Sequence, residues 1–140
     1  MKKFVSELIQ KHESRDPLII AKELGIHVII EPLGTINGYF NVILGERFIH
    51  INQDVDEYQQ VFTAAHELGH ALLHPDSNAM FLVEHTQLSV GQLENEANKF
   101  AIQLLINDDI VDEYKEISSS KLAEMYSIEK ELIEYRFKMN

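Results

Sequence analysis

In MKKFVSELIQKHES the apolar residues are interrupted by Ser6, Glu7 and Gln10, the pattern of an amphipathic helix rather than a signal peptide. Asp16-Pro17 supplies a helix start, with an acidic cap and proline in the first turn, and Gly25 supplies a stop. IHVII (26–30) reads as a buried strand, closed by Glu31-Pro32-Leu33-Gly34. The β-rich runs GYFNVIL and RFIHIN are separated at Gly45-Glu46 and predict a hairpin. Asp54 and Glu57 have capping-box spacing and open a long helix that Pro75 ends. In the loop beyond, MFLV (80–83) fits a short strand. Ser89 and Gln92 repeat the capping-box spacing and open a helix from about residue 90 to 106. The last 25 or so residues read as two short helices. A few strands among several helices make an α+β fold.

The helix after Glu57 carries TAAHELGHALLH (63–74). At this composition an H-E-x-x-H match is expected by chance about 0.04 times, so the motif is informative. Residues four apart lie on one helix face, and His66 and His70 can point their imidazoles at one ion. Glu67, rotated by about a third of a turn, falls beside that ion, where a general base belongs. Two histidines on an exposed face would need no metal. The flanking Ala64, Ala65, Leu68, Ala71, Leu72 and Leu73, however, predict a largely buried helix, in which unpaired imidazoles are costly. His74 lies about 12 Å along the axis from His66, too far to share an ion from one straight helix, and fits a helix-end residue near the cleft. The glycine inside this helix, Gly69, costs about 1 kcal/mol relative to alanine, which the close approach of another backbone would explain.

A third ligand has to come from elsewhere, and LENEANKFAIQLL (93–105) is the best source. Its apolar stripe is Leu93, Ala97, Phe100, Ala101 and Leu104. Glu94 lies about 60° from the centre of that stripe and Glu96 about 100° away on the other flank. Glu96 has Lys99 three residues on, an ordinary surface pairing. Glu94 has Asn98 one turn along its own side, an amide placed to orient a ligand histidine. Either glutamate alone would also suit a helix's first turn. Glu94 is the expected ligand.

A length of 140 residues suits one domain with a real core, and no apolar run is long enough to span a membrane. Without cysteine there is no disulfide framework and no thiolate zinc site, which suits a cytoplasmic location. The net charge of −11 argues against a nucleic-acid surface. KLAEMYSIEKELIEYRFK does have the apolar spacing of a helix-turn-helix. Residues 108–140 nevertheless hold five Lys and Arg against nine Asp and Glu, a poor match for phosphates, and a packing or partner-docking element fits better.

FTAAHELGHALLH followed by ENEANKFAIQLL resembles the ImmA/IrrE metallopeptidases, small bacterial and phage zincins. The likeness runs from about Asp16 to the end, through DPLIIAKELGI and KLAEMYSIEKELIEYRF. It implies a zincin-like domain over residues 1–114, its short sheet packed on the active-site helix, followed by a helix pair over 115–140. It also implies one zinc ion per chain held by His66, His70 and Glu94, with Glu67 catalytic. The chain departs from the family at Asn107, where proline is common, which loosens the predicted helix end.

The implied activity is that of a zinc endopeptidase cleaving a partner helix-turn-helix repressor, thereby derepressing phage or mobile-element genes. The alternative is a non-enzymatic zinc-containing regulator that binds the repressor without cleaving it, for which an intact Glu67 is not required. Tyr39, His74 and His85 are candidates for stabilising an oxyanion, and sequence does not choose among them. The outer strand of the hairpin offers an edge for an extended substrate.

Overall fold

The computed structural model describes residues 1–74 and 90–139. The expected strand at 80–83, the Ser89 cap, Pro75 and His85 lie outside the described residues. Helix α1 (Lys2–His12) turns Val5 into the core with Leu8 and Ile9 beside it. Helix α2 (Pro17–Glu23) starts where Asp16 accepts a hydrogen bond from the Leu18 amide, and the chain leaves it through Gly25 at φ +75°.

Strands β1 (His27–Glu31), β2 (Gly38–Ile43) and β3 (Glu46–Asn52) form one sheet in the order β1-β3-β2. The centre, β3, pairs parallel with β1 and antiparallel with β2. The expected burial of β1 does not hold: it is an edge strand, and Ile30 is 52% exposed. The hairpin turn falls one residue earlier than the sequence suggests, at Leu44 and Gly45, both with positive φ. Two such residues in succession make the tight turn whose twist matches the strands. Buried Asn52 holds the β1–β2 connection by donating to the carbonyls of Gly34 and Ile36, and its Oδ1 accepts from the Asp54 amide.

Helix α3 (Glu57–Leu73) is capped by Asp56, which accepts from Gln59 N at 2.8 Å. The expected Asp54–Glu57 capping box is therefore not the cap, because the helix starts at Glu57 and Asp56, directly before it, holds the cap position. Ala64, Ala65, Leu68 and Ala71 of α3 are buried against the sheet's Phe40, Ile49 and Ile51 and against helix α4 (Val90–Leu105). Small side chains let the two helices approach closely. A Cβ on Gly69 would stand 3.3 Å from both Cα and the carbonyl oxygen of Ala97 on α4. Close backbone approach is the reason for this glycine.

Beyond α4 come α5 (Asp108–Glu113), α6 (Ser119–Tyr126) and α7 (Lys130–Lys138). Asn107, the departure from the family pattern, caps α5 by accepting from the Ile110 amide. Two guanidiniums take the last carbonyls at the end of α4, Arg15 those of Gln103 and Leu104, and Arg136 that of Ile106. Leu122, Ile128, Leu132 and Ile133 share a second apolar cluster with Ile102 and Ile106. The α6–α7 pair is thus packed on α4. Among the described residues no helix is long and apolar enough to cross a membrane.

Candidate metal centre

The one-turn spacing of His66 and His70 sets their rings edge to face, 4.8 Å between centroids. The close contact at Gly69 and Ala97 brings α4's first turns over this face, and Glu94 reaches both rings. One carboxylate oxygen lies 2.9 Å from His66 Nε2 and the other 2.8 Å from His70 Nε2. Glu67, 6% exposed, lies beside them, and donor atoms of His66, Glu67 and His70 all fall within 4.8 Å of one another. The four residues expected at the site are together.

The electrostatics follow from burial and pairing. Hydrogen bonds from His66 and His70 hold the Glu94 carboxyl far below the usual carboxylate range. Burial works against a charge on His66, but Glu94's hydrogen bond and the charges of Glu67 and Glu94 outweigh it and raise the ring's pKa. Asn98 adds in the same direction, although Nδ1 of His66 is buried without a hydrogen-bond partner of good geometry. Burial also raises Glu67, assisted by the charge of Glu94 and opposed by the two histidines. A carboxylate so raised is a stronger base than one in water.

His74 caps the end of α3, as its distance along the helix suggests, and lines the same cleft. Burial, then the charge of His70, lowers its pKa, and its Nε2 stands 3.5 Å from Glu96. Glu96 therefore turns to His74 and not to Lys99, whose ammonium sits over the Tyr135 ring. Tyr39 lies flat on the His50 ring, 4.1 Å between centroids.

The residues fit a metal by the chemistry of their donors. Two imidazole nitrogens and a carboxylate converge from two helices, a set that suits zinc. Ligand atoms sharing one tetrahedral ion with bonds of about 2 Å stand about 3.3 Å apart, and the two imidazole–carboxylate separations, 2.9 and 2.8 Å, are somewhat shorter, as suits directly hydrogen-bonded donors. The IrrE N-terminal-like domain family of peptidases matches residues 21–138. The chain belongs to the ImmA/IrrE peptidase family. It is 36% identical over 135 residues to the uncharacterized immunity region protein 2 of Bacillus phage phi105, covering 94% of this chain and 85% of the relative. To the metallopeptidase ImmA of Bacillus subtilis (strain 168) it is 30% identical over 111 residues, covering 78% of this chain and 64% of ImmA.

In this family member the centre opens into a cleft of about 790 Å³. One wall is residues 37–41, which start the edge strand β2, and another is the α6–α7 turn with Ser127, Ile128 and Glu129. Gly38 lets β2 lie against α3, since a Cβ there would meet the Thr63 side chain and the His50 carbonyl at 2.5 Å. Sequence reasoning missed Gly38 and the α6–α7 wall. A glycine opening a strand is a weak signal, and a wall about 60 residues from the histidines has no local one.

Proposed function

We propose that this chain is a zinc-dependent endopeptidase in which His66, His70 and Glu94 hold the metal and Glu67 is the general base. The carrying observation is that one carboxylate, Glu94, contacts both imidazole Nε2 atoms while the second, Glu67, is buried alongside with a raised pKa. Zinc bound there supplies a Lewis acid and lowers the pKa of water to about 7. Glu67 accepts the proton of the attacking water as its oxygen bonds to the scissile carbonyl carbon. It then delivers that proton to the amide nitrogen as the C–N bond breaks, leaving a carboxylic acid and an amine. Asn98 stands near His66, and its amide oxygen accepting from the otherwise unpartnered Nδ1 would orient the ring. Among the described residues no strand covers the outer edge of β2, and this edge takes the backbone of an extended substrate by strand addition.

The proposed substrate is a helix-turn-helix repressor, cleaved to release phage or mobile-element genes in the cytoplasm. The immunity-region name of the phage relative supports a regulatory setting, and the net charge of −11 suits a partner with a basic, DNA-binding face. The purified zinc-loaded protein is to be mixed with a candidate helix-turn-helix repressor, one encoded beside its gene where there is one, and, separately, with casein, and fragments followed by mass spectrometry. Cleavage of the repressor at one or few bonds, with casein largely intact, is expected. Rapid digestion of casein with the repressor left whole would overturn the regulatory reading. A repressor bound but uncut would favour the non-enzymatic regulator.

A further inference from the structure

We infer that the α6–α7 turn is the selecting wall of the cleft, where Phe62, Ile128 and Leu132 form a hollow for an apolar side chain of the substrate. The inference rests on the peptidase reading of the cleft and assigns the C-terminal helix pair a part in it. Phe62, Ile128 and Leu132 all line the cavity that holds His66 and Glu67. The Phe62 ring centroid is 6.2 Å from that of His66, so the hollow adjoins the reacting centre. Ile128 and Leu132 are 7% and 8% exposed, anchored in the second core cluster, with a face left on the cavity.

The wall is held in place. Ser127 has a left-handed φ of 54°, and the Ile128 amide donates to the Ala123 carbonyl. The Ser127 hydroxyl reaches Asp56, the cap of α3, at 3.4 Å. Arg136 and Tyr135 of α7 bind Ile106 and Gln103 at the end of α4. The wall is therefore tied to both helices that carry the site. Among the described residues no lysine or arginine lines the cavity, so an acidic substrate side chain would meet no fixed cationic side chain of that kind there. Behind Phe62 and Ile128 lies a second, mostly apolar hollow of about 310 Å³, lined by these same two residues with Tyr58, Val61, Leu105 and Tyr126. Phe62 and Ile128 therefore line both spaces. A strand laid along β2 presents alternate side chains to opposite faces, so every second residue is turned to one side of the cleft. The substrate class follows: an extended segment with a large apolar residue next to the scissile bond.

The test measures binding without turnover. Zinc-loaded Glu67→Gln protein is titrated with fluorescent peptide pools, each fixing one residue at one position. Pools fixing Leu or Phe at one position should bind about tenfold tighter than pools fixing Ser or Ala there. Ile128→Phe, added to the same background, should fill the hollow and erase that preference while alanine pools bind as before. Leu132→Ala, which enlarges the hollow, should move the preference towards larger rings. Circular dichroism and zinc content qualify each variant as folded, and if one fails to fold the other still decides. Equal binding of all pools, or a preference unmoved by a folded variant, would overturn the inference. So would a preference for Lys or Arg removed by Glu129→Gln, which would make the wall a reader of charge. Hydrolysis of the same pools by the Glu67 parent is scored separately. An inert parent that still binds apolar pools fails the peptidase reading and leaves the hollow standing.

Discussion

Gly69 on α3 and Ala97 on α4 touch so closely that a single added methyl at Gly69 would lie 3.3 Å from the Ala97 backbone. That methyl would also meet the buried Phe100 ring at 3.0 Å. Alanine gains about 1 kcal/mol in helix propensity over glycine, whereas overpacking a filled core costs about 1–3 kcal/mol. Helix backbone yields less readily than a side-chain tip, so the steric cost wins. Gly69→Ala should lower stability by about 1 kcal/mol and weaken zinc binding, because the same contact seats Glu94 over the histidines. Urea unfolding and a zinc titration check both parts; a variant more stable than the parent with unchanged zinc affinity would contradict them.

Glu94 and Glu96 divide their roles by direction, the first towards His66 and His70, the second towards His74. Glu94→Ala should lose most bound zinc by elemental analysis, while Glu96→Ala keeps about one ion per chain. The reverse outcome would reassign the third ligand.

On the proposed assignment zinc would compete with a proton at His66, whose pKa is raised by its pairing with Glu94 after burial is overcome. A raised pKa means the proton is held to a higher pH than in a free histidine. Zinc affinity should therefore rise with pH through and beyond the ordinary value of 6.5, and fall steadily on acidification below it. Competition titrations with a chelator of known pH dependence measure this. A flat affinity between about pH 6 and 8 would show that no such proton is displaced.

Arg136 is 4% exposed and joins α7 to the Ile106 carbonyl and to Asp108. Arg136→Ala strips buried groups of a charged donor and should destabilise the fold by about 2–4 kcal/mol in urea unfolding. A loss below about 0.5 kcal/mol would mean that water replaces the guanidinium freely.

Much of this fold can be read in short stretches of chain. Asp16-Pro17, the hairpin, and the spacing of His66, Glu67 and His70 are local patterns, and the structure places each near its expected position. Glu94 was legible because helical geometry ranks two nearby glutamates by their angle to one apolar stripe. The errors arise where tertiary contacts decide. Asp54 has the spacing of a cap, but the turn at Asn52 delays the helix start to Glu57, and Asp56 takes the cap. IHVII is apolar enough for a buried strand, yet β3 takes the centre of the sheet and leaves β1 at an edge. Ile128 reaches the cleft only because α7 packs on α4, a long-range arrangement that no sequence window contains.

In the proposed mechanism Glu67 performs the proton transfers of peptide hydrolysis at this centre. Parent and Glu67→Gln proteins, matched for zinc content, are to be incubated with the proposed helix-turn-helix repressor substrate, and the cleavage rate read from intact-mass spectra. Glutamine fills the same space but cannot take the proton. Equal zinc and equal repressor binding are expected, with cleavage slower by about 100-fold or more in the variant. Equal cleavage rates at equal zinc would contradict that mechanism.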